Sequence, residues 1–96
     1  MRTVYIGGAV IGGGAEARRA EYYVVIDGLL NGDGETIGET CGVRVDIAAP
    51  PRGFFSETVN DVTTNYDEMI RFARKLRDMK VTPATLRDIV CDSLPL

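Results

Sequence analysis

The sequence predicts an α+β fold: an antiparallel sheet of about four strands covered on one face by two C-terminal helices. Three observations predict it. Four stretches with strand-like patterning, at about 3–11, 21–30, 36–48 and 55–62, are separated by glycine- and proline-rich breaks. Two segments, at about 65–80 and 83–94, carry helix-start signals and apolar residues at three- and four-residue spacing. The chain has 96 residues, 45% apolar and 26% charged, which is room for one domain spanning 1–96 with a single modest core and argues against disorder.

The first strand places Val4 and Ile6 on one face and Tyr5 on the other, and Gly12-Gly13-Gly14 breaks it. The second carries Tyr22, Tyr23, Val24, Val25 and Ile26 without a polar interruption, so both of its faces are apolar. Asn31-Gly32-Asp33-Gly34 reads as a tight hairpin turn, because asparagine and glycine tolerate positive φ. The third strand alternates at Cys41, Val43, Val45 and Ile47. Charge chooses its register: if paired numbers sum to 65, Glu21 meets Arg44, Arg19 meets Asp46, and Tyr23 lies across from Gly42. Its one awkward pair is Ile26 with Glu39. Pro50-Pro51-Arg52-Gly53 then turns the chain into a short fourth strand.

In the first helix Met69, Phe72, Ala73, Leu76 and Met79 form one apolar stripe, with Asn65 as N-cap and Glu68 three residues on, close to a capping box. In the second, Thr82 is the N-cap, Pro83 takes the first helical position, and Leu86, Ile89, Val90 and Leu94 face the sheet.

The net charge of −3 hides an asymmetry, since residues 1–70 carry −6 and residues 71–96 carry +3. A body that acidic repels phosphate backbones, which makes a nucleic-acid partner unlikely. The two cysteines, Cys41 and Cys91, stand fifty residues apart without metal-ligand spacing, and the chain has no histidine. A structural zinc site therefore lacks its usual ligands, a histidine base and a catalytic triad are excluded, and no cofactor or metal is expected. Reduced thiols and a cytoplasmic location follow from that cysteine usage; whether the two ever pair is open. Arg2, the apolar stretch after it and Ala15-Glu16-Ala17 imitate a secretion signal, but five glycines spoil the apolar helix. No stretch is long enough for a membrane span.

Gly12-Gly13-Gly14-Ala15-Glu16-Ala17 formally matches a dinucleotide fingerprint. Too few residues follow for a crossover helix, so a mobile glycine connection is the better account. Asp88 with Asp92, and Asp27 with Asp33, are carboxylate pairs that could hold a cation in a pocket, against the plainer account of solvated surface charge. Cys91 lies near Arg87 with no base beside it, a weak nucleophile. Arg71, Arg74, Lys75, Arg77 and Lys80 run against Asp78 alone. That run reads as a phosphate-attracting face or as ordinary helix charging through the pairs Asp67–Arg71 and Arg74–Asp78, the second being favoured because no aromatic stacking residues interleave it, Phe72 belonging to the apolar stripe.

The segment Val81-Thr82-Pro83-Ala84-Thr85-Leu86-Arg87-Asp88-Ile89-Val90-Cys91-Asp92-Ser93-Leu94 resembles the ending of a group of short, uncharacterised clostridial-type bacterial proteins. Tyr22-Tyr23, Cys41-Gly42-Val43-Arg44-Val45 and Val59-Asn60-Asp61-Val62 are similar to segments of the same group. This chain departs from the group at Thr85 and Cys91, where histidine and an acid are frequent, and the resemblance implies no activity.

Two functions are expected from different classes. The first is a small non-enzymatic binding or regulatory protein, a protein partner or homodimer meeting its outer sheet face at Tyr5, Tyr23 and Val25, since two helices cover only one face of the sheet. The alternative is a small repressor, antitoxin or inhibitor that engages nucleic acid or an acidic partner through Arg71, Arg74, Lys75 and Arg77 on the first helix.

Overall fold

Glycine and β-branched patterning divides the first two thirds of the chain into four strands that pair in sequence order, each antiparallel to the next. The structure, a computed structural model, describes residues 1–49 and 53–95. The strands are β1 (Arg2–Ile11), β2 (Arg18–Leu30), β3 (Thr36–Ala49) and β4 (Gly53–Thr63), followed by α1 (Tyr66–Asp78) and α2 (Pro83–Ser93). The fold class is α+β as expected, with β2 and β4 longer and both helices shorter than the sequence suggests. The expected Pro50–Gly53 turn falls largely outside the described residues.

One face of the sheet is apolar because alternation puts Ala20, Tyr22, Val24 and Ile26 of β2 beside Cys41, Val43, Val45 and Ile47 of β3. Met69, Phe72, Ala73 and Leu76 of α1 and Leu86 and Val90 of α2 close over them. Met79 and Leu94 are exposed rather than buried, since both lie past the last turn of their helices.

Asn65 caps α1 by accepting the Glu68 N–H at 3.0 Å, but Glu68 does not reciprocate; the Asn65 N–H goes to Thr63 Oγ1 at 3.1 Å. The helix ends in a Schellman turn: Val81 N–H bonds Leu76 C=O at 3.0 Å, Lys80 N–H bonds Arg77 C=O at 3.0 Å, and Lys80 takes φ 56°. That turn buries Val81 beside Leu76 and aims the Val81 carbonyl at the sheet, where the buried Tyr22 hydroxyl donates to it at 2.8 Å. Thr82 occupies the N-cap of α2 without a side-chain bond to the helix.

The β2–β3 register corrects the expected one. Paired residues sum to 67, so Ile26 meets Cys41, Tyr23 meets Arg44, Val25 meets Gly42, and Glu21 meets Asp46. The turn is longer than two residues: Asn31 N–H bonds Glu35 C=O at 2.9 Å, Gly34 sits at φ 82°, and the Asn31 carboxamide oxygen accepts from Asp33 and Glu35 N–H. A bulge between Leu29 and Leu30 adds a further residue. The sum moves from 65 to 67 and stays odd, so the same side chains still face the core, and the Ile26–Glu39 conflict disappears.

Two further bulges shape the edges. In β1 the register slips between Tyr5 and Gly7, and Arg77 reaches the half-buried backbone there, its Nη1 donating to Ile6 C=O at 3.2 Å. In β4 the chain kinks at Asp61, φ 55°, and its backbone crosses Gly42 so closely that a Cβ on Gly42 would lie 2.9 Å from Asn60 Cα.

Replacing Gly42 by alanine is therefore expected to lower stability by roughly 3 kcal/mol in denaturant unfolding, because backbone rather than a flexible side chain must give way. Tyr22→Phe leaves the Val81 carbonyl buried and unpaired, an expected loss of about 1–3 kcal/mol with unchanged secondary structure by circular dichroism.

Candidate functional site

Alternation along β2 and β3 places Arg19, Glu21, Tyr23, Arg44 and Asp46 on the sheet face opposite the helices, with Tyr5 of β1 paired to Tyr23. The two rings meet at a centroid distance of 5.5 Å and an angle of 59°, and the Arg44 guanidinium lies 5.3 Å from the Tyr23 ring centre. Arg44 also grips Asp46 through two bonds, 2.8 and 2.7 Å, and Ser56 of β4 donates to the same carboxylate at 2.6 Å. Arg19 bonds Glu21 at 2.6 Å, and the Tyr5 hydroxyl donates to the other Glu21 oxygen.

Charge is thus neutralised along each strand instead of across the pair. Glu21 and Asp46 face each other as like charges, yet each holds an arginine two residues away on its own strand. The Tyr5 hydrogen bond, ahead of the burial that opposes it, keeps the Glu21 carboxyl below the usual carboxylate range. Burial pushes the Tyr23 phenol up, so it stays neutral.

Of the expected contact residues, Tyr5 is 53% exposed and Tyr23 half-buried, whereas Val25 is 1% exposed because it lies opposite Gly42, where β4 crosses. Arg19, Glu21, Arg44, Asp46 and Ser56 complete the patch. The spacings Arg19-x-Glu21 and Arg44-x-Asp46, each putting opposite charges on one side of a strand, are the signal that locates the first four in sequence.

On α1, Arg71, Arg74 and Lys75 are exposed and make no ion pair among the described residues, so the expected Asp67–Arg71 and Arg74–Asp78 pairs are not formed. Arg77 instead bonds its neighbour Asp78 and the β1 backbone. Phe72 floors an open cleft of about 450 Å³ between Arg71, Lys75, Glu68 and Ser93.

Gly14–Glu16 form a single 3-10 turn joining antiparallel strands, which leaves no crossover helix for a dinucleotide. A cleft of about 570 Å³ does open beside it, floored by Ile11, Ile47 and Phe55, but its charged rim is Glu16, Glu57 and Arg18, a poor match for phosphate. Asp88, Asp92, Asp33 and Cys91 are exposed, and Asp27 lies 3.8 Å from the Met1 amino group. Among the described residues no three His, Cys, Asp or Glu side chains gather into a metal-holding group, and no helix is long and apolar enough to cross a membrane.

A family described as "Family of unknown function (DUF6514)" matches residues 9–95. The chain belongs to the DUF6514 family. No curated protein and no solved structure matches it. The match takes in the helices, the whole β2–β3 hairpin and every residue of the outer patch except Tyr5, so the DUF6514 region carries most of that patch.

Two measurements check this geometry. Thiol labelling of the native protein is expected to modify Cys91 rapidly and Cys41 only on unfolding, because Cys41 is buried and burial raises its thiol pKa. Glu21, with its native pKa depressed, contributes stability above the unfolded carboxylate pKa that is lost as pH falls through the native one. Tyr5→Phe is therefore expected to raise the Glu21 titration in carboxyl-detected NMR, and to be less stable than wild type at neutral pH but equal to it in acid.

Proposed function

We propose that the protein is a small non-enzymatic binding or regulatory protein that acts through protein–protein contact on its outer sheet face. The observation that carries this reading is the Tyr5–Tyr23–Arg44 stack on the face without helices, fixed by ion pairs before any partner arrives. Tyrosine and arginine dominate contact energies where rings are held in place, because little side-chain entropy is lost on binding. The arginines of the patch are already paired with Glu21 and Asp46, so it offers no net positive charge to phosphates and suits a protein surface. The same reading includes a cytoplasmic location and, through the Val81–Leu94 ending, kinship with short clostridial-type bacterial proteins.

Tyr23→Glu and Arg44→Ala are expected to keep the fold by circular dichroism and to weaken binding of a purified partner, first captured with wild type, by about 30-fold or more. Unchanged affinity in both variants overturns the reading.

A second reading rests on Arg71, Arg74 and Lys75, exposed cations without ion-pair partners among the described residues. They suit an acidic ligand, as in a small repressor, antitoxin or inhibitor. If that ligand is nucleic acid, log affinity is expected to fall with log salt by about 0.9 per phosphate contacted, and Arg71→Glu with Arg74→Glu to abolish binding. A flat salt dependence removes it.

A further inference from the structure

The sheet is longer than the helices that cover it. Pairing with β1 stops at Arg2–Ile26 and pairing with β4 stops at Cys41–Thr63, but β2 and β3 stay paired from Asp27–Thr40 out to Leu30–Thr36. Residues 27–40 therefore form a two-stranded arm projecting past the body, along a molecule 52 Å long and 24 by 20 Å across. A two-stranded ribbon is marginal alone in water. This one leaves Leu30, on the same face as the core residues, 59% exposed and Ile37, at the bulge, 63% exposed.

The arm is also uniformly acidic: Asp27, Asp33, Glu35 and Glu39 lie in it and no lysine or arginine does. At its base Asp27 meets the Met1 amino group and Glu39 pairs with Arg2. Asp33 and Glu35 at the tip have no ion-pair partner among the described residues. One stretch of α1 presents the opposite charge: Arg71 and Lys75 flank the cleft floored by Phe72, where Glu68 is the one acidic side chain, and Arg74 is exposed on the same helix.

We propose that the arm of one copy seats on α1 of a second copy, and reciprocally, in a two-fold dimer. The body carries helices on the very face that the arm leaves bare, so each molecule is a step. Turned about an axis across the long direction, two such steps interlock: each helical layer lies on the other copy's arm. Leu30 and Ile37 then leave water near Phe72, and Asp33 and Glu35 meet Arg71, Arg74 and Lys75. A two-fold makes both contacts identical, which closes the assembly at two copies. The inference rests on reading α1 as a surface for an acidic ligand, and it names the ligand as this chain.

Sedimentation at low salt tests it with two charge-reversed proteins, Asp33→Lys with Glu35→Lys on the arm and Arg71→Glu with Lys75→Glu on the helix. Wild type is expected as a dimer that added salt weakens. Each variant, folded by circular dichroism, is expected to dissociate at least about tenfold more readily. Mixing the two variants is expected to restore the dimer, because both contacts in the mixed pair again join opposite charges. A monomeric wild type, variants that dimerise as wild type does, or a mixture that stays monomeric overturns the proposal. Titration of a monomeric wild type with a duplex oligonucleotide separates the two claims: salt-sensitive binding keeps the acidic-ligand reading while the dimer fails, and no binding removes the nucleic-acid form of that reading together with the dimer.

Discussion

The hydrogen bond from Tyr22 to the Val81 carbonyl spans 59 residues of sequence and joins the middle of the sheet to the corner between the helices. Everything in the helical layer is referred to that corner. The Schellman turn that ends α1 fixes the direction of the carbonyl, and Val81 beside Leu76 removes water from around it. A donor and an acceptor buried together in this way must meet, since either alone would forfeit its hydration without replacement. The interaction therefore selects one placement of two short amphipathic helices that hydrophobic packing alone would leave free to slide.

The outer face is organised by a different rule. Opposite charges sit two apart on the same strand, so each strand arrives with its charges balanced, and the like-charged Glu21–Asp46 juxtaposition is tolerated. Arginine stems and tyrosine rings fill the space between, which keeps this side of the sheet polar at its atoms and apolar in its area. Such a surface is soluble without being featureless.

Much of this was legible in the sequence, for reasons that also mark where legibility ends. Period-two alternation in β3 and the caps at Asn65 and Pro83 are local, so strand faces and helix positions follow from them directly. Register is a count across a loop. It moved by two residues because the Asn31–Glu35 loop is wider than a two-residue turn and Leu29–Leu30 bulges, neither of which alters the alternation on which the expectation rested. The cross-strand charge argument pointed to the wrong pairing because the ions satisfy themselves within each strand. Val25 was expected at the contact face, but its burial depends on where β4 crosses Gly42, a tertiary event thirty-odd residues downstream. Arg77 likewise looked like its neighbours on α1 until the bulge in β1 offered it a carbonyl.

Those two bulges sit on the first and last strands, which are the edges of the sheet. An edge strand is ordinarily a template, with a row of free amides and carbonyls on which another extended chain can stack indefinitely. Here β1 is interrupted at Gly7, with Arg77 on the carbonyl beside it, and β4 is folded inward over Gly42. Regular pairing of β1 is broken after Tyr5 and that of β4 ends at Val59, so neither edge runs straight along its whole length. The two edges that a four-stranded meander leaves open are in this way both interrupted, which shortens the stretch on which another chain can stack.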